Sequence, residues 1–189
     1  MDDLLIGTLA EVVRALGDVG IAYAVTGSVA SSVHGEPFAS LDVDLVLTAT
    51  DTQACAIARI LSPRFYAPED MLMEAAQTHT FANLVDNRTG VKVDLSFVPR
   101  TGFVSHAIER RVKRRVGSEG PEFDFVTPED VILMKLLWRK DTLSQKQWEN
   151  ALGVVRVKTV SLDWKYLFEQ ARSLGIEDDL IKLRDEAGV

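Results

Sequence analysis

Two aspartates interrupt what is otherwise an apolar strand. Residues Leu41 to Leu47 read Leu-Asp-Val-Asp-Leu-Val-Leu. Successive strand residues point to opposite faces, so Leu41, Val43 and Leu45 share one face and Asp42 and Asp44 the other. The two carboxylates lie roughly 7 Å apart along the chain. A third, Asp94, sits mid-strand in Val91 to Val98, where Val91, Val93, Leu95 and Phe97 alternate with Lys92, Asp94 and Ser96. Aspartate is depleted from strand interiors, and like charges side by side repel. A hard divalent cation removes that cost. Mg²⁺ is held by one or two carboxylates together with water and substrate phosphates. Two such ions sharing carboxylates activate an attacking oxygen and stabilise a leaving one. Taken alone, Asp-x-Asp fits a solvated sheet face better than a metal site.

A second element raises its meaning. Thr26-Gly27-Ser28 follows the short apolar run Ile21 to Val25 and precedes the small residues Val29 to Ser32. Glycine lets a backbone approach a phosphate, and the start of the following helix favours an anion. Asp42 lies 14 residues beyond Ser28. A strand, a Gly-Ser turn, a short helix and an Asp-x-Asp strand therefore form one unit, with turn and carboxylates at the ends of neighbouring strands.

These residues need elements to carry them. Leu4, Leu5, Leu9, Val12, Val13 and Leu16 recur at helical spacing behind Asp2 and Asp3, which can cap a helix, and Gly17 and Gly20 close it. Strands are predicted over Ile21–Val25, Leu41–Leu47, Thr80–Val85, Val91–Val98, Arg111–Val116 and Phe123–Val126. Asp51 is read as the cap of a helix to Leu61, Pro63 to Pro68 as a loop, and Glu69 to Gln77 and Phe103 to Glu109 as helices. Turns are expected over 86–90 and 117–121. From Thr127 onward the pattern is helical, over Pro128–Lys140, Ser144–Val155, Asp163–Leu174 and Ile176–Ala187. The expected architecture is α/β, in the α+β sense. A small mixed sheet in an α/β core over 1–126 has helices against one face, and a helical region over 127–189 closes one side of the cleft.

Composition narrows the classes. The chain has 189 residues, 47% of them hydrophobic and 26% charged, which excludes wholesale disorder. No apolar run reaches the ~18 residues of a membrane span; Val131 to Trp138 is broken by Lys135. The start, Met1-Asp2-Asp3, lacks a basic leader, so a cytoplasmic protein is expected. A lone Cys55 excludes an internal disulfide and is read as core. The net charge is −7, with 13 acids and 5 bases over residues 1–99 and 15 acids and 16 bases over residues 100–189. That balance argues against a sequence-blind nucleic-acid coat. The basic run Arg110, Arg111, Lys113, Arg114 and Arg115 is read first as a solvated face, with an RNA or DNA backbone or a nucleotide tail as the alternative ligand; no aromatic residue interleaves it to add stacking. His34, His79 and His106 lack partners at metal-ligand spacing. No phosphate loop, dinucleotide fingerprint or hydrolase elbow is present.

Thr26-Gly27-Ser28, Gly35-Glu36-Pro37, Asp42-Val43-Asp44 and Val93-Asp94-Leu95 together resemble the signature of the nucleotidyltransferase superfamily, with its polymerase-β-like fold. The subgroup it resembles comprises small prokaryotic proteins related to the nucleotidyltransferase toxins of abortive-infection systems. Thr127-Pro128-Glu129-Asp130 to Lys135 and the stretch from Ser144 to Val155 are similar to that subgroup's helical part. The resemblance implies that Gly27 and Ser28 hold a triphosphate and that Asp42 and Asp44 bind Mg²⁺ or Mn²⁺. It implies that Asp94 completes a second metal site and helps deprotonate an acceptor hydroxyl. Lys135 would neutralise phosphate charge, or else snorkel from a core helix. The implied reaction moves a nucleoside monophosphate from an NTP to RNA, a protein or a small molecule, releasing pyrophosphate. The implied partners beyond the NTP are a protein partner or a second copy, in a toxin–antitoxin setting. The resemblance departs at Phe38, where the subgroup carries arginine, and at Ser40, where it carries threonine. That departure keeps a non-catalytic binding module as the alternative. An Asp-x-Asp glycosyltransferase is a third, weaker one, since about 125 residues leave little room for a nucleotide-sugar domain.

Overall fold

The computed structural model describes residues 2–117 and 120–189. The expected turn over 117–121 therefore falls partly outside the described residues.

Helix α1 (Asp3–Asp18) begins where Asp2 accepts a hydrogen bond from the Leu4 amide at 3.0 Å. Its Leu5, Leu9, Val12 and Leu16 stripe is buried. Strand β1 (Ala22–Thr26) runs without a break into α2 (Gly27–His34). Strand β2 (Asp42–Thr48) follows the Gly35-Glu36-Pro37 turn. Helix α3 (Asp51–Leu61) is capped by Thr50, not by Asp51. The Thr50 hydroxyl accepts from the Gln53 amide, and the Gln53 side chain accepts from the Thr50 amide. This reciprocal pair satisfies two donors at once, which Asp51 inside the first turn could not do.

The segment expected as a loop contains a two-residue strand, β3 (Phe65–Tyr66). It pairs with β4 (Phe81–Asp86), which lies beyond α4 (Glu69–Thr78). Two residues are too few to show alternation. What holds them is tertiary: the buried Asp86 carboxylate accepts from Arg64 at 2.6 Å, from Thr8 at 2.9 Å and from the Arg88 amide at 2.9 Å. Strand β5 (Lys92–Phe97), α5 (Phe103–Glu109), β6 (Val112–Arg115) and β7 (Glu122–Phe125) complete the α/β part. Helices α6 (Pro128–Arg139), α7 (Gln145–Lys158), α8 (Trp164–Leu174) and α9 (Glu177–Ala187) follow.

Among the described residues the sheet has seven strands in the order β3-β4-β5-β2-β1-β7-β6. It is mixed: β2 is parallel to β5 and β1 to β7, and the other pairs are antiparallel. Leu45, Val46 and Leu47 are all buried. Since they point alternately to the two faces, this end of β2 is covered on both sides, not on one as expected. Asp42 and Asp44, at its other end, are only partly covered. Buried residues from Leu5 to Leu183 belong to one contiguous cluster, which spans the sheet and the C-terminal helices. Gly35 is where these meet. A Cβ there would stand 2.6 Å from the Val154 amide nitrogen, so only glycine lets the turn after α2 rest on α7.

Candidate active site

The central strands bring the three aspartates to one row. Thr26 on β1 pairs with Asp44 on β2, Asp44 with Asp94 on β5, and Asp94 with Asn83 on β4. Neighbouring strands lie about 4.8 Å apart, so these side chains share one face at that spacing. Asp42 lies one step along, paired with Lys92. All four of Asp42, Asp44, Lys92 and Asp94 are partly buried, so the row is reachable from solvent.

Gly27 closes the row from the β1 side. Its φ is +67°, and a Cβ built on it would stand 1.8 Å from Asp44 Oδ2. No other residue type fits this contact. The first residue of α2 is thus held directly against a carboxylate. Ser28 is buried beside it. The Ser31 hydroxyl donates to the Gly27 carbonyl at 3.0 Å, fixing the first turn of the helix.

Each carboxylate has a different surrounding. Burial, followed by the negative charge of Asp42, raises the pKa of Asp44; Lys135 opposes the shift. Asp42 Oδ1 accepts from the Ser40 hydroxyl at 2.7 Å. Asp94 has both oxygens engaged, Oδ1 by Asn83 Nδ2 at 2.5 Å and Oδ2 by Lys92 Nζ at 2.9 Å. Among the described residues no three His, Cys, Asp or Glu side chains are grouped closely enough to hold an ion by themselves. The three aspartates share a face without forming a closed cage. The donor set of Asp42 and Asp44 does fit a divalent ion completed by water and phosphate oxygens, the arrangement a hard cation such as Mg²⁺ takes. The unfavourable burial of Asp44 is the cost such an ion would remove.

Lys135 faces this row from α6. It is 3% exposed, and its ammonium lies 5.9 Å from the centre of the Trp138 ring. Burial lowers its pKa to about 8, with Asp44 pulling the other way and Lys146 adding to the fall. No ion pair within 4.0 Å ties it down among the described residues, so its charge is directed at Asp44 without a contact. A lysine snorkelling to water would be far more exposed.

Lys92 and Asn83 were not singled out from sequence. Lys92 shares the strand parity of Asp94, so alternation placed it on the right face. Asn83 carried no signal, because only the β4–β5 register sets it opposite Asp94. Other expectations resolve plainly. Arg110 pairs with Asp130, Arg111 and Lys113 with Asp124, and Arg115 with Glu122, so most of the basic run is paired with the chain's own acids. Cys55 is half-buried on α3 instead of lying in the core, because the apolar face there is filled by Ala54, Ile57, Ala58 and Leu61. His34 is buried, with Nε2 2.8 Å from the Val126 carbonyl, and burial lowers its pKa to about 4. Phe38 packs its ring near Gly153 of α7, where the family resemblance would have an arginine. A recess of about 550 Å³, lined by Leu5, Val29, Ser32, Phe38, Ser40 and Arg115 among others, includes none of the three aspartates.

Solved structures share this arrangement of elements. The antigenic nucleotidyltransferase-like protein of Paracoccidioides brasiliensis superposes with a TM-score of 0.58 at 17% identity, over 100% of this chain and 92% of that one. The antibiotic-resistance factor ANT(2'')-Ia superposes with a TM-score of 0.60 at 12% identity, over 92% of this chain and 94% of that one. The chain has a nucleotidyltransferase fold. No family model matches the sequence. No curated protein matches it either. At these identities the likeness carries the nucleotidyltransferase fold alone, and the chemistry has to be argued from the row of carboxylates. Among the described residues, no helix is long and apolar enough to cross a membrane.

Proposed function

We propose that the protein transfers a nucleoside monophosphate from an NTP to a hydroxyl acceptor, with release of pyrophosphate. The observation that carries this is the seat of Asp44 against Gly27. It puts the start of a helix, which attracts phosphate, in contact with one of two carboxylates able to hold a divalent ion. Asp42 and Asp44 would hold Mg²⁺ or Mn²⁺, which when bound supplies positive charge at the phosphates. Gly27 and Ser28 would receive the triphosphate at the α2 start. Lys135, buried and without an ion-pair partner among the described residues, would offset phosphate charge from the opposite side. Asp94 would stand on the acceptor side. The acceptor oxygen forms a bond to the α-phosphorus as the bond to the β-phosphate bridging oxygen breaks. The hydroxyl proton passes to Asp94 and then to water. RNA, a protein side chain and a small molecule all offer such a hydroxyl, and a protein partner or second copy belongs to the same reading.

One observation favours a second reading, a nucleotide-binding module without turnover. Phe38 supplies a hydrocarbon ring where the resemblance has a guanidinium. A single screen separates the two. The four labelled NTPs are incubated with the protein and Mg²⁺, against total RNA and whole lysate. The Asp42→Asn/Asp44→Asn double variant is the control. Label transferred by the wild type and not by the double variant supports the transferase. No label above the double variant, with NTP binding retained, supports the binding module.

A further inference from the structure

We infer that Lys92 is a built-in cation standing in for a second divalent ion, so that this site works with one bound metal. The inference rests on the transferase reading and deepens it.

The geometry of Asp94 carries it. A carboxylate that ligates a metal must turn an oxygen toward the ion. Both oxygens of Asp94 already accept a hydrogen bond, one from the Asn83 amide at 2.5 Å and the other from the Lys92 ammonium at 2.9 Å, so an ion on the remaining lone pairs would lie beside a fixed positive charge while a proton would not be so excluded. The Lys92 backbone also sits opposite Asp42 in the β2–β5 register, so its ammonium emerges between the strands that carry all three aspartates. The ammonium contacts Asp94 and lies beside the strand position of Asp42.

Charge points the same way. Three carboxylates faced by the ammoniums of Lys92 and Lys135, with Lys146 also within reach of Asp44, leave at most one net negative charge. That suits one divalent ion delivered with a polyanionic nucleotide. A second ion at Asp94 would have to expel an ammonium at contact distance, which like charges in a partly buried site oppose. Among the described residues Asp42 and Asp44 carry no such cation at contact distance; Asp42 is held by a neutral hydroxyl. The two halves of the row are thus chemically distinct, one open to a metal and one already filled by a lysine.

The test counts ions by their magnetism. The full chain is titrated with Mn²⁺ in the presence of a non-hydrolysable NTP analogue and read by electron paramagnetic resonance against the analogue alone. Ions about 3.5–4 Å apart, as in two-metal sites, are spin-coupled. The wild type is expected to bind one Mn²⁺ per chain with an uncoupled spectrum. Asp94→Asn is expected to leave that count at one. Lys92→Met is expected to admit a second ion at least tenfold more tightly than the wild type does, with a coupled spectrum; Lys92→Arg stays at one. Two coupled ions in the wild type would overturn the inference and leave the metal-centre reading standing. A Lys92→Met protein that is folded by circular dichroism and still binds one ion also overturns it. No bound Mn²⁺ in any form would remove the metal-centre reading itself.

Discussion

Lys135→Met should make the protein more stable and less able to hold a nucleotide. The side chain is 3% exposed, and burial brings its pKa from 10.5 down to about 8. One pKa step corresponds to about 1.36 kcal/mol, so keeping this lysine charged in the native state costs about 3 kcal/mol near neutral pH. Methionine has a similar length and no charge to desolvate. For a chain of this size about 3 kcal/mol corresponds to a Tm rise of roughly 6–10 °C. The sign over pH follows from proton binding. Below about pH 8 both the native and unfolded states hold the proton, and the full cost is present. Between about 8 and 10.5 the unfolded state holds more protons, so wild-type stability gains on the variant as pH rises. The advantage of Lys135→Met should therefore be full at pH 7 and fade through that window. Urea denaturation of both proteins at pH 7 and pH 10 measures the gap. Thermal shift with NTP and Mg²⁺ at pH 7 measures the functional half, in which the variant should lose most of the ligand-induced rise. A variant less stable than wild type at pH 7 would refute the charge argument. A variant with undiminished NTP response would show that the buried ammonium serves no phosphate.

Other outcomes test the remaining parts. Gly27→Ala must accommodate both a φ of +67° and a Cβ 1.8 Å from Asp44, so it should lose about 1–3 kcal/mol in urea denaturation and weaken Mn²⁺ binding. Asp44→Asn removes a carboxylate whose ionisation burial opposes, so it should keep or raise Tm at pH 7 while abolishing label transfer. Asp86→Ala leaves Arg64 only its 3.4 Å pair with Glu11 and strips Thr8 and the Arg88 amide of their acceptor, so it should cost about 1–3 kcal/mol, with nucleotide binding per folded molecule unchanged.

Much of the fold is legible in local pattern. The Leu5, Leu9, Val12 and Leu16 stripe, the alternation in β2 and β5, and the Thr127-Pro128 start of α6 each specify an element within a few residues. The capping at Thr50 and the strand at Phe65–Tyr66 are not legible in local pattern, because each depends on a partner choice that spacing leaves open. Thr50 and Asp51 are both good caps, and only the Gln53 geometry selects between them. Phe65 and Tyr66 pair because Arg64 is anchored on Asp86 from another strand.

The same division holds at the candidate site. Sequence alone determined which residues face one way: parity in β2 and β5 put Asp42, Asp44, Lys92 and Asp94 on chosen faces, since a strand turns by half a revolution per residue. Tertiary structure decided what each of them meets. The parallel β2–β5 register set Asp94 beside Asp44, the antiparallel β4–β5 register set Asn83 beside Asp94, and the docking of α6 buried Lys135 facing Asp44. Register and docking are set by the whole core at once, so no local spacing encodes them. That is why three carboxylates that read alike from sequence have different neighbours in the fold: Asp44 lies against Gly27, Asp42 takes the Ser40 hydroxyl, and Asp94 takes the Lys92 ammonium.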